Sequence, residues 1–350
     1  MRTIDQRKRA AIKALGAVPL TPVIRAASGV ACGLGALALP LAPFGRLAHA
    51  QSAWPAKPVR IVHGYDSGSN PDTVARAISQ ALGERLGQPI IIEPKPGAGG
   101  RIATAYVTTQ EPDGYTLMML TGGDGVNAAT QAANEARLPY DLLRDYAFAG
   151  MVSLFAFMVL VKADSPFKTL REAIDFAKKN PGKLTFATPG VRTTQHLTGE
   201  LINAMGGINL LHVPFKGNAF TELIGGRLDL MIAAPTISTP QIKGGAVRAL
   251  AVTGKARLDT FPDVATVAET LPGFEVTSWL GLAAPAKTPA AVISRINTGL
   301  RHALAQEAVR ARLLAIGTEP AGGPAEELRA RVESDIRKWR ELAKTAKLDG

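Results

Sequence analysis

The chain has 350 residues, 46% of them apolar, with 40 Lys and Arg against 29 Asp and Glu. That length and apolar content suit one large α/β domain or two smaller ones. A single cysteine, Cys32, excludes a disulfide framework, and no basic stripe with interleaved aromatics offers a nucleic-acid footprint.

The first fifty residues stand apart from the rest. Arg2, Arg7, Lys8, Arg9 and Lys13 form a basic start opposed only by Asp5, Ala26–Gly45 carries no charge, and the stretch ends in Ala48-His49-Ala50. This is the layout of an export signal over residues 1–50, cleaved near Ala50 to leave Gln51 as the mature start. The glycines and prolines in the uncharged run make it a poor membrane-spanning helix. Lys8-Arg9 only weakly imitates a twin-arginine motif, so the sequence leaves the export route open. Cleavage leaves 33 basic and 28 acidic residues, a charge of +5, and removes Cys32. The expected product is soluble, free of cysteine and periplasmic.

Trp54–Pro58 reads as a linker, and short apolar runs then alternate with amphipathic stretches, the pattern of an α/β protein. Val59–Val62 reads as a strand. Asn70 suits a helix cap, Pro71 the first helical position and Asp72 the first turn, after which Ala75, Ile78, Leu82 and Leu86 recur at helical spacing. Further strands are expected at Ile90–Ile92, Tyr115–Leu120, Phe157–Val161, Leu184–Ala187, Asp229–Ala233 and Val247–Val252. Helices are expected at Gly100–Thr109, Thr169–Lys179, from about Thr194, at Ala290–Ala305 and at Ala325–Ala343.

The segment EPKPGAGGRIATAY, residues 93–106, follows a β-branched run and precedes a small-residue helical stretch. It fails the dinucleotide fingerprint, because Ile102 stands where the third glycine is required. The phosphate-loop motif fails as well, since Gly182-Lys183 leads into Leu184 and Gly254-Lys255 into Ala256. Three turns nonetheless share one design of strand, Gly/Ser/Thr/Asn-rich turn and helix start: Gly64–Asp72, Pro96–Arg101 and Thr188–Thr194. Each exposes amide N–H groups at the positive end of a helix, a ready site for carboxylate or phosphate. On the sheet edges of an α/β protein they would converge on one crevice.

Catalytic readings find less support. Outside the signal the histidines are His63, His196, His212 and His302, and His196 with Glu200 makes two ligands rather than a metal site. Asp66-Ser67-Gly68 lacks the G-x-S-x-G elbow of a serine hydrolase, and nothing nominates a carboxylate pair. No catalytic residue, metal or cofactor is expected.

A run of motifs along the chain resembles the Bug-type receptors of tripartite tricarboxylate transporters. Trp54-Pro55-Ala56-Lys57-Pro58-Val59-Arg60 is similar to their mature start. Leu86-Gly87-Gln88-Pro89, Pro96-Gly97-Ala98-Gly99-Gly100, Pro112-Asp113-Gly114-Tyr115-Thr116-Leu117 and Leu138-Pro139-Tyr140-Asp141 follow in order. His212-Val213-Pro214-Phe215-Lys216-Gly217, Asp229-Leu230-Met231, Arg248-Ala249-Leu250-Ala251-Val252-Thr253 and Ser278-Trp279 continue the resemblance towards the C-terminal helix.

The resemblance implies an α/β fold of the two-lobed, type II-like periplasmic-binding kind, with a ligand cleft between the lobes. One lobe would comprise residues 54–155 and 281–350, the other 156–280. It further implies a monomeric, non-enzymatic receptor that captures a small organic acid and delivers it to membrane transporter subunits. A ligand-sensing subunit for a two-component system and a periplasmic hydrolase are the alternative readings. The ligand-binding positions carried over are Tyr65, Ser67, Gly68, Asn70 and Asp72, then Ala98, Gly99 and Gly100, and in the second lobe Thr188, Gly190, Arg192 and Thr193. Backbone N–H groups and water would hold the carboxylate. The first loop departs from the family's Pro-Phe-Pro-Pro-Gly-Gly, with Gly68 and Asp72 retained, and Ala233-Ala234 replaces a usual Asp-Asn pair. Arg192 stands where glycine is common. Asp66 and Asp124 would repel a polyanion if they faced the cleft, whereas Arg192 would favour one.

Overall fold

The computed structural model describes residues 54–130, 138–215 and 219–345; the expected export signal, Cys32 and Lys216-Gly217 lie outside the described residues. In chain order the elements begin with β1 (Val59–His63), α1 (Asn70–Leu86), β2 (Ile90–Pro94), α2 (Arg101–Thr108), β3 (Thr116–Thr121), α3 (Gly122–Ala129) and β4 (Tyr146–Ala156). There follow β5 (Met158–Lys162), α4 (Leu170–Lys179), β6 (Thr185–Thr188), α5 (Thr194–Gly206), β7 (Leu211–Pro214), α6 (Phe220–Ile224), β8 (Leu230–Ala233), α7 (Pro235–Lys243) and β9 (Val247–Val252). The chain closes with β10 (Thr277–Pro285), α8 (Ala290–Ala305), α9 (Glu307–Ala315), β11 (Glu319–Gly322) and α10 (Ala325–Thr345).

These strands form two sheets, ordered β11-β4-β10-β3-β1-β2 and β7-β6-β8-β5-β9. The sheets repeat one plan. A central strand, β1 or β6, has parallel partners on both sides, and an antiparallel strand, β10 or β5, follows beyond β3 or β8. Parallel neighbours require helical crossovers, so every helix after a parallel strand starts at that strand's C-terminal end. The chain is thus a two-lobed α/β protein, with one sheet at the heart of each lobe. Thr277–Leu280 pair with β4 in the first sheet, ahead of the boundary expected at residue 281.

The lobes are joined where β4 runs into β5 and where the segment after β9 returns to β10. Thr253 ties these crossings together. Its Oγ1 accepts from Phe157 N at 2.8 Å and donates to Val276 O at 2.7 Å. Its own amide donates to Phe157 O at 2.9 Å, and Val276 N donates to Thr253 O at 2.8 Å.

Local physics explains the elements. On α1, Ala75, Ile78, Leu82 and Leu86 are buried along one face, and Gly87, at φ 82°, ends the helix by donating to Gly83 O. Such a left-handed terminus is a position that glycine occupies without Cβ strain. On α4, Thr169 and Glu172 form a reciprocal capping box, and Lys178 and Lys179 complement the negative end of the helix. Trp54–Pro58, expected as a linker, is instead docked. The Trp54 ring packs 6.0 Å from that of Tyr115, Ala56 N donates to Tyr115 Oη at 2.8 Å, and Lys57 lies 4.3 Å above the Tyr115 ring. The buried apolar area and a satisfied amide outweigh the local preference of a proline-rich stretch for independence.

Trp279 on β10 is fully buried, and its Nε1–H donates to Asp335 Oδ2 at 2.6 Å, fixing α10 against the sheet. Arg331 holds the same carboxylate at 3.0 Å. Asp335→Ala should destabilise the protein by about 2–3 kcal/mol, because a buried N–H is left without an acceptor. Urea unfolding measures this; a loss below ~0.5 kcal/mol would show that water replaces the carboxylate.

Candidate functional site

The first turn grows out of β1. At its start, a Cβ on Gly64 would collide with the backbone of Gly100, so only glycine lets the first and second turns lie against each other. The Tyr65 ring packs beside Gly100, and its hydroxyl reaches Thr121. Burial and the nearby Asp124 charge push the Tyr65 phenol up, so the ring presents a neutral hydroxyl. Asp66 and Ser67 are exposed.

Asp72 is 3% exposed and fully occupied. It accepts from Gly68 N at 2.9 Å, lies 3.2 Å from His63 Nε2, and takes a forked pair from Arg76 at 2.9 and 3.0 Å. Burial alone would raise its pKa, but Arg76, Gly68 N–H and His63 together hold it below the usual carboxylate range. Asp72 is therefore ionised and shapes the turn, with its negative charge offset by the Arg76 guanidinium rather than set against a bound anion. Asn70 is not the cap the sequence implies. Ser69 has the extended cap conformation, and Asn70 is the first helical residue, its side chain accepting from Thr236 of the second lobe at 2.8 Å.

The second turn has four successive residues in the positive-φ region: Gly97 at 137°, Ala98 at 50°, Gly99 at 63° and Gly100 at 97°. Their carbonyls are consumed. Gly97 O accepts from Gly100 N, Ala98 O from Arg101 Nε, Gly99 O from Asn127 Nδ2 and Gly100 O from Thr104 Oγ1. With all four carbonyls bonded and Gly100 N–H spent on Gly97 O, the donors the turn keeps to offer are the Ala98 and Gly99 amides.

The third turn opens α5. Thr193 caps that helix by accepting from His196 N at 3.2 Å and donates to Gly190 O at 2.8 Å. Thr188 Oγ1 sits 2.7 Å from His212 Nε2. Thr188 and Thr193 are buried and serve as struts. Arg192 has φ 61°, and its amide donates to His196 Nδ1 at 3.2 Å. A left-handed non-glycine residue costs about 1 kcal/mol. Arg192→Gly should therefore stabilise the protein by about 1 kcal/mol, less the entropy glycine adds to the unfolded chain. Paired urea curves with equal slopes test this, and a destabilised variant would mean that the Arg192 side chain outweighs the strain.

The His196 and His212 rings pack together with centroids 4.1 Å apart and planes tilted by 39°. Burial, then the Arg192 charge, brings His196 down to about 4, and burial, then His196, brings His212 down to about 4.

The turns meet across the lobes. A Cβ on Gly99 would lie 3.2 Å from Val191 O and 3.6 Å from Thr193 Cγ2, and one on Gly190 would lie 4.0 Å from Gly99. Two further helix starts join them. Thr121, Gly122 and Gly123 begin α3, where a Cβ on Gly122 would lie 3.2 Å from Thr194 Oγ1 and one on Gly123 3.9 Å from Thr193 Cα. Thr236, in the first turn of α7, meets Asn70. The third turn and the α3 start thus bring Tyr65, Gly99, Gly100, Gly190 and Thr193 together, while Ser67 and Gly68 lie at the outer end of the first turn.

Sequence reasoning named Gly64 and Thr194 only as the ends of their turns, and it passed over Gly122, Gly123 and Thr236. The signal for α3 was Thr121-x-x-Asp124, a capping box in which Asp124 accepts from Thr121 N at 2.8 Å. Asp124 is 2% exposed and also accepts from Thr104 Oγ1 at 2.6 Å, so it is capped inside the lobe and does not face the cleft. Burial raises its pKa, and the threonine bonds partly offset this.

Five helix N-termini on two opposed sheet edges, with turns of amide donors between them, define a two-lobed solute-binding protein. Comparison with known proteins agrees. Residues 74–348 match the family described as "Tripartite tricarboxylate transporter family receptor". The periplasmic binding protein BugD is 33% identical and superposes at a TM-score of 0.79, covering 84% of this chain and 99% of BugD. R. palustris Rpa4515, solved with adipate, is 31% identical at a TM-score of 0.80 over 84% of this chain and 98% of its own. MatC from Rhodopseudomonas palustris, solved with bound malate, is 29% identical at 0.77 over 83% and 99%. The chain belongs to the Bug-type receptor family of tripartite tricarboxylate transporters, a family of solute-binding receptors of the periplasm.

Proposed function

We propose that this receptor captures a small carboxylate-bearing solute between its lobes and hands it to the membrane subunits of a tripartite transporter, without catalysing any reaction. The observation that carries the reading is the second turn, whose four carbonyls are bonded and whose Gly99 amide stands beside Gly190 of the opposite lobe. Such donors at a helix start suit a carboxylate, and hydrogen bonds to a charged acceptor are worth about 1.5–3 kcal/mol each. Adipate in Rpa4515 and malate in MatC support the same ligand class.

The ligand-binding set is Tyr65, Asn70, Ala98, Gly99, Gly100, Gly190 and Arg192, with Ser67 and Gly68 at its outer rim and Asp72, Thr188 and Thr193 as struts that hold the turns. The pairing of Thr277–Leu280 with the first sheet supports drawing the second lobe boundary at Val276. The protein acts as a monomer, exported by a signal cleaved near Ala50. A hydrolase reading finds no help at Ser67, which is exposed and lies on the outer part of its turn.

A thermal-shift screen against mono-, di- and tricarboxylates, followed by scattering, tests the proposal. A true ligand should raise the unfolding midpoint and shrink the radius of gyration, since only the closed form contacts it from both lobes. Stabilisation by no carboxylate, or an unchanged radius at saturation, would overturn it.

A further inference from the structure

Away from the cleft, α8, α9 and β11 enclose an open groove of ≈ 400 Å³ lined by residues that include Thr298, Arg301, His302, Arg310, Gly322 and Gly323. The two helices contain Arg295, Arg301, Arg310 and Arg312, no lysine, and Glu307 as their one acidic residue. All four arginines are exposed, and none has an ion-pair partner among the described residues. Other surface arginines are paired in part: Arg60 with Glu93 and Arg257 with Glu269, whereas the exposed Arg337 and Arg340 on α10 have no ion pair among the described residues either and so make a matched control for position. The nearest competing acids lie at the rim, Glu319 at the start of β11 and Glu327 packed against Gly323.

Unpaired guanidinium groups present a planar fork that matches carboxylates, which lysine does not. The edge strand beside them cannot accept an added strand in full register, because Pro320 at its middle has no N–H. Recognition there must run through side chains. A membrane surface would be met by a convex, lysine-bearing face with apolar anchors, whereas here Arg301 and Arg310 line a concavity.

We infer that this groove docks an extended, acidic polypeptide segment of the membrane transporter, the arginines gripping its carboxylates. The inference rests on the receptor reading only for the identity of the partner. The probe is a fluorescent peptide of alternating Glu and Gly, titrated at low salt, where such attraction is least screened. Reversing the groove with Arg301→Glu/Arg310→Glu should weaken binding by at least ~10-fold, and Arg301→Gln/Arg310→Gln by a smaller factor. Reversing Arg337→Glu/Arg340→Glu on α10 should change it by less than ~3-fold, as expected for general charge alone. Uptake by vesicles containing the transporter should fall in the groove variants, while their carboxylate-induced thermal shift is kept. Equal weakening by the α10 reversal, no binding of the peptide, unchanged uptake, or groove-dependent binding to phosphatidylglycerol vesicles in preference to the peptide would each overturn the inference. If no carboxylate shifts even the unaltered protein, the receptor reading fails, and the peptide titration still decides the groove.

Discussion

Gly99→Val should weaken capture of a carboxylate at least ~10-fold while the protein still folds. Gly99 has φ 63°, a region that a β-branched residue enters only with strain. Its missing Cβ also matters across the cleft, since one built there would meet Val191 O at 3.2 Å before the two branch atoms of valine are added. The substitution therefore tilts the turn's amides and props the lobes apart at once. Losing one amide bond to a charged acceptor costs about 1.5–3 kcal/mol, and 1.4 kcal/mol is one decade of affinity. Calorimetry with the carboxylate found by screening measures the effect, and circular dichroism confirms the fold. The contrast is Arg192→Ala. If that variant loses affinity heavily and Gly99→Val loses none, side-chain charge rather than backbone amides reads the ligand.

Acidification should destabilise the protein between pH 6.5 and pH 4, before most carboxylates titrate. His196 and His212 have folded values near 4 against 6.5 unfolded, so the unfolded chain binds more protons in that window. The stability their neutral forms preserve is complete above pH 6.5, and its loss is complete below about pH 4. The cause is visible at His196. Its Nδ1 already accepts from Arg192 N, and a second ring proton would have to enter there and expel that bond. At pH 5 each ring costs about 2 kcal/mol by linkage. Two opposing details reduce the sum to about 2–3 kcal/mol. His212 is only partly buried, so solvent screens part of its shift, and Glu200, whose pKa burial raises, gains a proton in the same range. Buried His63, lowered chiefly by burial, adds in the same direction as the pair. Urea unfolding at pH 7.5 and pH 5 should reveal the loss, and His196→Asn/His212→Gln should flatten it. An equal loss in the double variant would assign the effect to carboxylates instead.

Much of the framework was legible because it is written in local periodicity. The buried face of α1 recurs as Ala75, Ile78, Leu82 and Leu86, and the strands at Val59, Ile90 and Leu184 sit between turn residues. The three turns were legible too, since strand, small polar turn and helix start follow one another in sequence. What failed needs contacts distant in the chain. Helix α3 begins Gly-Gly-Asp-Gly and reads as a loop; the Thr121–Asp124 box and the packing of Asp124 against Thr104 make it a helix. Strands β4 and β10 are buried on both faces, so Tyr146–Ala156 and Thr277–Pro285 show no alternation to betray them. The Asn70–Thr236 bond joins positions separated by 166 residues, and no local pattern announces it.

The place of β10 between β3 and β4 has a consequence for the order of events as the chain folds from its N-terminus. The first sheet has a gap at its middle until residues 277–285 arrive, and by then every strand of the second sheet has already been delivered. Domains tend to fold as units when their residues become available. The second lobe should therefore mature first, while the N-terminal strands wait on a segment made some 160 residues after β3, a long loop to close. Pulsed hydrogen exchange during refolding would register this as protection of Leu160 and Phe186 ahead of Leu117 and Leu120. Late closure of the first sheet exposes β3 as an unpaired apolar edge until then, and that interval is when the protein is most in need of a chaperone.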